Sequence, residues 1–599
     1  MPKTRDTRGP NVGGIGTKAE LPTPRIGVQG QEVQAASGNG LTTLLRATRS
    51  SRKTAVTING ERNLGLSDVL SVARLRAKVR FEPSAKVLDR TTRTLAALKS
   101  QIASGVPIYG VSSAFGGQAG RILNQGSPEI LQKNACALSA AIVHVDVSTG
   151  DPLPIELVRA AMLIRLNMLA AGYSGIRPST LLLIAELLNA EVTPVVGRYG
   201  SVGASGDLAQ NGRLISVLQH HASARVYDSA GIVRPAAEVL QALQIAPLVL
   251  EPKEGLALVN GDNYSSAAAL ATFAVVVHSL LLQLHISAIV VQVLLGSDRN
   301  FHPLLDAVRP HPGQSAVAQI LRNLLSGSHM APQEIASGHR SKAPGVSVQD
   351  AYSIRCLPQF LGPDVERLES IRSTIAININ SVSDNPLWTD AATAAAGELP
   401  EQWVSGGNFL AMHMAEALDA MRKTMVRLVK LNDRHVARMV HSTLNNGLPP
   451  NLSPKDSISR CVFKGLQTQM GMFDVYATTL AAPVTTNFGT HEELNQDITS
   501  HALTSYLIGI ELTKVLGLAQ ASTLLAACQA VDLRGGPAEL SESTRPLYEW
   551  VRCRSPFVRF EQPLGADIEL VASELNVAPL SIEECSEDTY MSGVFKSAR

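Results

Sequence analysis

The sequence predicts a mainly α-helical protein built around a bundle of long helices. Its 599 residues are 45% hydrophobic but only 4% aromatic. The apolar content is therefore mostly Ala, Leu, Val and Ile, which suits closely packed helices. Apolar residues also recur at helical spacing, separated by glycine and proline. The expected helical stretches are 66–79, 91–102, 129–147, 155–172, 178–190, 208–222, 262–296, 314–326, 361–380, 406–445 and 500–530.

The N-terminal part of the chain is predicted to be less regular than the rest. Residues 1–50 are rich in Gly, Pro, Thr, Arg and Lys and lack periodic apolar spacing, which is typical of a disordered arm. A short strand is expected near Thr54–Gly60. Ser104–Gly120 carries five glycines and one proline around Tyr109, so we expect a loop there.

Charge and cysteine content argue against several classes of function. The net charge is +2 at pH 7, which gives no electrostatic case for binding nucleic acid or an anionic membrane. The six cysteines never form Cys-x-x-Cys, so neither a disulfide framework nor a zinc site is indicated. Because the N-terminus is charged and not apolar, these features predict a cytoplasmic protein.

The stretch Ala267–Leu295 is apolar enough to raise the possibility of a membrane span. Polar residues interrupt it, and a helix that faces lipid tolerates them badly. They include His278, Ser279, Gln283, His285 and Gln292. A buried helix at the centre of a bundle fits this composition better, so we predict no membrane span.

The tripeptide Ala204-Ser205-Gly206 has the chemistry to react with itself. In a sharp bend, the Gly206 amide nitrogen can attack the Ala204 carbonyl and close a five-membered ring, and loss of water with the Ser205 hydroxyl leaves an exocyclic alkene. Glycine permits the strained backbone. The product is an organic electrophile, which proteins otherwise obtain from a cofactor. The alternative is a helix start, in which Ser205 or Asp207 caps a helix that begins near Leu208.

Five further segments are unlike ordinary helix sequence. They are Ile108–Val111, Pro252–Gly261, Gln349–Gln359, Asn380–Leu387 and Gly406–Phe409. With the Ala-Ser-Gly run between the first and the second, they resemble the aromatic amino acid ammonia-lyase and aminomutase family, which includes histidine, phenylalanine and tyrosine ammonia-lyases. The resemblance covers residues 55–535, including Asn445–Pro450 and Gln529–Arg534.

The resemblance implies a cofactor, an assembly and a domain layout. Ala204-Ser205-Gly206 would become 4-methylidene-imidazol-5-one (MIO), with no metal and no separately bound cofactor. The family fold is a helix-rich homotetramer in which each active site collects residues from three subunits. We therefore expect a MIO domain over 51–255, a central helical core over 256–540 and a C-terminal helical tail over 541–599.

The resemblance also implies roles for individual side chains. Tyr109 matches the loop tyrosine that serves as the base, and its glycine-rich surroundings suit a lid. Arg355 matches the arginine that binds the substrate carboxylate, for which a guanidinium offers bidentate geometry. Gln349 and Tyr352 correspond to groups near the electrophile and the substrate. Asn260 matches an asparagine that contacts the electrophile or the carboxylate.

The remaining matches are expected around the same site. Asn385 supports the carboxylate site, Leu256 lies in the substrate pocket, and Phe409 matches a phenylalanine near the MIO ring. Glu492 aligns best with the glutamate that meets the substrate amine. The adjacent Glu493 leaves this register open by one residue.

One segment departs from the family pattern. After Asp207-Leu208 the family usually continues with a small residue, proline and leucine, whereas this chain has Ala209-Gln210-Asn211-Gly212-Arg213. Gly212 lowers the helix propensity. The missing proline changes how the helix starts.

The pair Leu138-Ser139 matches the selectivity position of the family. Tyrosine-directed enzymes usually place histidine first, whereas an aliphatic Leu138 suits an apolar ring and cannot satisfy a buried hydroxyl. This favours L-phenylalanine over L-tyrosine, with histidine as the least expected substrate. A shifted register would bring His144 into the pocket and favour tyrosine, but we interpret His144 as a hydrogen-bonded histidine on a helix.

The sequence therefore predicts an ammonia-lyase that converts an aromatic L-amino acid into ammonia and an aryl acrylate such as trans-cinnamate. An aromatic amino acid 2,3-aminomutase, which gives a β-amino acid from the same electrophile, is one alternative because the motifs are shared. A tyrosine ammonia-lyase is another. An inactive helical scaffold is the third, and only the departure at residues 210–212 supports it.

Overall fold

The structure, a computed structural model, describes residues 44, 53–341, 348–389 and 400–581. The predicted arm over residues 1–50 lies outside the described residues, apart from Leu44, and so does the end of the predicted tail from 582 onward. The described α-helices are α1 (Leu66–Arg74), α2 (Ala85–Ala103), α3 (Pro128–Ala141), α4 (Ile155–Ala170), α5 (Pro178–Asn189), α6 (Leu208–Leu218), α7 (Ala236–Ala242), α8 (Glu254–Val259), α9 (Asn263–Val293), α10 (Pro303–Ala307), α11 (Pro312–Leu325), α12 (Glu334–Ser337), α13 (Tyr352–Arg355), α14 (Leu357–Asn378), α15 (Met412–Val440), α16 (Lys464–Thr479), α17 (Ala502–Leu533), α18 (Arg545–Arg552) and α19 (Gly565–Ser581).

Three long helices form the centre of the fold. Helices α9, α15 and α17 have 31, 29 and 32 residues and pack against one another. Helix α4 packs on α9, helices α16 and α19 pack on α17, and the pair α11 and α14 lies beside α9. Their buried side chains, mostly Ala, Leu, Val and Ile, belong to one continuous core. The predicted mainly α-helical fold is confirmed.

Helix α9 is buried on nearly all sides, and two of its glutamines find partners inside the bundle. The Gln283 side-chain oxygen accepts from Asn432 Nδ2 of α15 at 2.5 Å and from Gln520 Nε2 of α17 at 3.2 Å. Gln292 donates to Thr544 at 3.0 Å. Paired amides of this kind are tolerated in a protein interior. They connect the three central helices.

Two helices, α9 and α17, are long and apolar enough to cross a membrane by length and composition alone. The most apolar 18-residue stretch of α9 is 94% buried inside the protein, and that of α17 is 56% buried. Helix α9 is thus the core helix that its interrupting polar residues predict.

Short strands pair at the edges of the helical core. They are β1 (Ala55–Ile58), β2 (Lys78–Phe81), β3 (Thr149–Pro152), β4 (Thr193–Pro194), β5 (Gly197–Tyr199), β6 (Arg225–Tyr227), β7 (Val233–Pro235), β8 (Leu387–Trp388) and β9 (Trp403–Val404). Strand β1 pairs in parallel with β2, whereas the pairs β3–β5, β4–β6, β6–β7 and β8–β9 are antiparallel.

Some predicted boundaries differ from the structure. The helix expected over 66–79 ends at Arg74, because the following residues alternate between the surface and the core and form β2. Helix α15 begins at Met412, after the two glycines of the preceding loop. Helix α16 was not predicted, because two glycines interrupt its apolar positions.

A buried ion pair ties α15 to α17 and to the loop that follows α16. The Arg422 guanidinium lies 2.5 Å from Asp419 and donates to Ser505 Oγ at 3.0 Å and to the Leu480 carbonyl at 2.8 Å. Asp419 also accepts from the Thr485 amide at 3.1 Å. Burial opposes ionisation of Asp419, but the hydrogen bonds that Asp419 accepts from Ser505 Oγ, Arg422 and the Thr485 amide outweigh it and hold its pKa below the ordinary 3.8.

Replacing Arg422 should test how much this ion pair contributes to the stability of the fold. Arg422→Met leaves the buried Asp419 carboxylate without its cation, so the free energy of unfolding should fall by about 3–5 kcal/mol. Arg372→Met, which removes a partly exposed pair with Glu369, should cost less than about 1 kcal/mol. Urea denaturation measures both, and equal losses in the two variants would contradict the expectation.

Candidate active site

The Ala-Ser-Gly turn lies directly before α6 and is pressed against the junction of α8 and α9. Gly206 has φ +74° and forms a backbone bridge with Gly261. A Cβ on Gly206 would overlap the Gly261 backbone, so only glycine fits there. The Asp207 amide donates to the Gly261 carbonyl at 2.8 Å. The turn is thereby held at its backbone against the start of the buried helix α9.

Asp207 occupies the N-cap position of α6 but does not cap that helix with its side chain. Its carboxylate instead accepts from the Ser265 amide at 2.8 Å and from Ser265 Oγ at 2.7 Å, in the first turn of α9. Burial raises the pKa of Asp207 to about 7, although the hydrogen bonds from Ser265 oppose this shift. The residue thus joins the two helices that meet beneath the turn.

A cavity of about 240 Å³ opens beside Ser205. Its polar wall includes Tyr109, Asn260, Asn385, Glu492 and Asn495, and its apolar wall includes Phe115, Ile142, Val145, Leu208, Leu256 and Phe409. Gln496 Nε2 donates to Ser205 Oγ at 3.1 Å. An apolar pocket with a few converging polar groups is the usual form of a small-molecule site.

Tyr109 lies in the predicted loop and lines this cavity. Its phenol oxygen accepts from the Gly116 amide at 2.9 Å. Burial raises the pKa of Tyr109 above its ordinary 10.0, the Gly116 hydrogen bond lowers it, and the negative charge of Glu492 raises it further.

The loop that carries Glu492 fits tightly against the Tyr109 loop. Glu492 accepts from Asn495 Nδ2 at 3.1 Å and from Gln496 Nε2 at 2.9 Å. Glu493 does not line the cavity and accepts from Gln118 Nε2 at 2.9 Å. A Cβ on Gly116 or Gly117 would overlap the Glu492 or the Glu493 side chain. Of the two glutamates, the structure thus brings Glu492 to the cavity.

Asn260 and Asn385 are linked to each other and to buried charges. Asn260 Nδ2 donates to the Asn385 carbonyl at 3.0 Å, and the Asn385 side-chain oxygen accepts from the Gly406 amide at 2.9 Å. The Asn385 amide donates to Asp384 Oδ1 at 2.7 Å, and Asp384 pairs with Lys253 Nζ at 2.8 Å. Both side chains of this ion pair are fully buried.

A second buried cation lies beneath the same segment. The Arg165 guanidinium donates to the carbonyls of Ser383 at 2.7 Å and Asn260 at 3.1 Å, and also to that of Ala257. Burial lowers the pKa of Arg165, and nearby carboxylates oppose this shift. Its contacts fasten the end of α8 to the segment that carries Asn385.

Gln349, Tyr352 and Arg355 form a separate cluster at α13. The Arg355 guanidinium lies 4.5 Å from the Tyr352 ring centroid. Gln349, with its amide oxygen turned toward Arg355, accepts from the guanidinium at 2.6 Å. Gln349 and Arg355 line a cavity of about 560 Å³ that shares no lining residue with the one beside Ser205, and Tyr352 is 73% exposed. One chain therefore does not bring these three to Ser205.

Leu138 and Ser139 are not among the residues that line the cavity beside Ser205. Ser139 is buried, donates to the Glu251 carbonyl at 2.7 Å and accepts from the Gly255 amide at 2.8 Å, so it fastens α3 to the start of α8. His144, which we interpreted as a histidine on a helix, lies on a 3₁₀ turn after α3 and lines the cavity.

Comparisons with known proteins identify the family of this chain. A model of the aromatic amino acid lyase family matches residues 64–553. Phenylalanine ammonia-lyase 1 of Pleurotus ostreatus is 34% identical over 83% of this chain and 68% of its own length. Histidine ammonia-lyase of Stigmatella aurantiaca is 34% identical over 87% and 96%. The solved tyrosine aminomutase of Streptomyces globisporus, 27% identical, superimposes with a TM-score of 0.78 over 89% and 99%.

The chain belongs to the aromatic amino acid lyase family. This MIO-dependent family contains ammonia-lyases, which are carbon–nitrogen lyases, and aminomutases, so the resemblance of the motifs is confirmed. The similar proteins are named for three different amino acids and for two types of reaction.

The departure after Asp207 has a structural role in the lyase that its sequence does not reveal. Asn211 Nδ2 donates to the carbonyls of Val259 and Gly261, each at 3.1 Å, and pairs with the amide of Asn263 at 2.9 Å. Gln210 accepts from Ser201 Oγ at 2.6 Å. The sequence signal for these hydrogen bonds was only the presence of polar residues at 210 and 211, where the family pattern differs. Gln496, the partner of Ser205, was likewise not predicted.

Removing the buried cation behind Asn385 should destabilise the lyase. Lys253→Met leaves the buried Asp384 carboxylate unpaired, so the free energy of unfolding should fall by about 3–5 kcal/mol. The double variant Lys253→Met/Asp384→Asn should recover part of this loss, because it removes the unpaired charge and keeps an amide oxygen for the Asn385 amide. Denaturation curves decide, and a double variant no more stable than the single one would contradict this account.

Proposed function

We propose that this protein is an ammonia-lyase that eliminates ammonia from an aromatic L-amino acid, with L-phenylalanine as its leading substrate and trans-cinnamate as the product. The observation that carries the proposal is the convergence of Tyr109, Asn260, Phe409 and Glu492 on one cavity beside Ser205. The phenol, the amide and the carboxylate are groups that can move a proton and stabilise charge during the elimination of an amine, and Phe409 adds an apolar face for the substrate ring.

We propose further that Ala204-Ser205-Gly206 cyclises to MIO. The backbone supports this, because Gly206 has φ +74° and fits only as glycine against Gly261. Ala204 is buried, whereas Ser205 lines the cavity. MIO would supply an electrophile for the substrate amine, a chemistry that no amino-acid side chain provides.

The surrounding side chains would then divide the remaining tasks. Tyr109 takes the weakly acidic β-proton as the phenolate, a role that in general-base catalysis accounts for about 10²–10⁴-fold in rate. Glu492 holds the substrate ammonium, and Asn260 donates hydrogen bonds at the polar end of the cavity. Leu256 and Phe409 pack against the apolar part of the substrate.

The separate position of Arg355 supports a shared active site. The guanidinium suits the substrate carboxylate, yet it lines a different cavity of its own chain, together with Gln349. We propose that Gln349, Tyr352 and Arg355 complete the cavity of another copy within a homotetramer. The exposure of Tyr352 is consistent with this role.

We also propose that the protein is cytoplasmic. Cys136, Cys356, Cys461, Cys528 and Cys553 are free thiols in the structure. Unpaired cysteines are typical of a reducing compartment.

A 2,3-aminomutase is the second candidate, and one observation favours it. The tyrosine aminomutase of Streptomyces globisporus is structurally similar over almost its whole length. An aminomutase would retain the acrylate and return the amine to the β-carbon. Against the inactive scaffold stands the role of Asn211, one of the departing residues, which holds the backbone of Gly261 beside the tripeptide.

Product analysis with a panel of L-phenylalanine, L-tyrosine, L-histidine and ring-substituted analogues tests the proposed function. Cinnamate with equimolar ammonia from L-phenylalanine is the expected outcome. Dominant β-phenylalanine would reject the lyase in favour of the aminomutase. Urocanate as the main product would reject the preference for a phenyl ring over imidazole.

Ser205→Ala should abolish most of the turnover, because it removes the hydroxyl that leaves as water. Intact-mass spectrometry of the wild-type protein should find a deficit of two waters, about 36 Da, that is absent from the variant. Ser201→Ala, which removes a nearby hydroxyl outside the tripeptide, should keep the deficit. A wild-type mass without the deficit would contradict MIO formation.

The pH profile should report on Tyr109. Because burial and Glu492 raise the pKa of this phenol above 10.0, the phenolate increases with pH and kcat/KM should rise into the alkaline range. Glu492→Gln removes a negative charge that raises this pKa, so the rising limb should move to lower pH, whatever the absolute rate.

Glu493→Gln is the matched control, because Glu493 contacts Gln118 and does not line the cavity. Its limb should coincide with that of the wild type. An unchanged rising limb of the kcat/KM profile in Glu492→Gln would contradict the effect of the Glu492 charge on the pKa of Tyr109.

A further inference from the structure

The turn that follows α3 contributes two side chains to the apolar wall of the cavity. Ile142 and Val145 lie on the 3₁₀ turn Ile142–Val145 and line the cavity with Phe115 and Leu256. The asparagines and the glutamate form the polar wall. On the proposed function, on which this inference rests, the substrate ring therefore packs against the turn that carries His144.

Helix α6, which begins just after the Ala-Ser-Gly run, holds this turn through Asp146. Arg213 Nε lies 3.0 Å from Asp146 Oδ1, and Ser216 Oγ donates to Asp146 Oδ2 at 2.6 Å. Gly212 is the point of closest approach, where a Cβ would lie 2.9 Å from the Asp146 amide nitrogen and 3.0 Å from Val145 Cγ2. A side chain at 212 would therefore displace the turn.

The hydrogen bond of His144 determines which ring nitrogen is a donor and which is an acceptor. Its Nδ1 lies 2.8 Å from the Ala141 carbonyl oxygen. A carbonyl can only accept, so Nδ1 carries the proton and Nε2 of the neutral ring is an acceptor. Within the described part of the chain, Nε2 forms no hydrogen bond. The ring lies 6.4 Å from that of Phe115, between centroids.

We propose that His144 is the specificity-determining residue of the cavity, and that Gly212 and Arg213 position it through Asp146. Its Nε2 accepts a hydrogen bond from a donor on the substrate ring, so the ligand class is a hydroxyphenyl L-amino acid, of which L-tyrosine is the simplest. A ring without a hydroxyl is also admitted, because His144 is an exposed residue and water can hydrogen-bond to Nε2 in place of the hydroxyl. Gly212 and Arg213, which depart from the family pattern, thereby set the position of the turn Ile142–Val145.

Two substitutions at His144 separate hydrogen bonding from shape. His144→Phe keeps a ring but removes the acceptor, so the ratio of kcat/KM for L-tyrosine to that for L-phenylalanine should fall about tenfold. His144→Gln offers an amide oxygen and should retain most of the wild-type ratio. A merely structural role would move both substrates equally in both variants.

Gly212→Ala tests the positioning role against a matched helical glycine. The displaced turn should lower the tyrosine-to-phenylalanine ratio several-fold. Gly471→Ala, at a position in α16 where a Cβ meets no atom within 4 Å, should leave the ratio unchanged. Equal ratios in these two variants would overturn the role of Gly212.

The outcomes distinguish this inference from the proposed function. Wild-type enzyme that converts L-phenylalanine but not L-tyrosine would overturn the inference alone, and so would an unchanged ratio in His144→Phe. Wild-type enzyme that converts no aromatic amino acid to either an acrylate or a β-amino acid would reject the proposed function and the inference with it.

Discussion

The contact between the backbones of Gly206 and Gly261 is the constraint on which the rest of the site depends. It joins the reactive tripeptide to the junction of α8 and α9, and neither glycine has room for a Cβ. The same junction receives the hydrogen bonds of Asp207 and Asn211. The tripeptide is therefore positioned by main-chain atoms at the start of a central helix. Because the bundle is stable, these atoms keep the site rigid.

Beneath this contact the interior is unusually rich in charge. Arg165 and Lys253 lie among the carboxylates of Asp207, Asp262 and Asp384, and all five side chains are buried. Such a set is stable only when its members compensate one another, because an unpaired buried charge is costly. Hydrogen bonds from Arg165 and the Lys253–Asp384 pair fix the segments that carry Asn260 and Asn385.

Much of the fold and part of the site could be predicted, for identifiable reasons. Helical periodicity is a local signal, so the long helices were predictable from the sequence alone. Tyr109, Asn260 and Glu492 stand in distinctive segments, and the structure brings them to one cavity. The end of α3 determines which of the following residues face that cavity, and the exact end of a helix is hard to predict from sequence. Neither Leu138 nor Ser139 lines the cavity.

The loops that carry Tyr109 and Glu492 meet so closely that Gly116 and Gly117 admit no side chain. The hydrogen bond between Gln118 and Glu493 closes the same seam from outside. Tyr109, Gly116 and Glu492 of this seam line the cavity, and the fit of the two loops sets the distance between a phenol and a carboxylate. Any motion that parts the two loops therefore also separates these two groups.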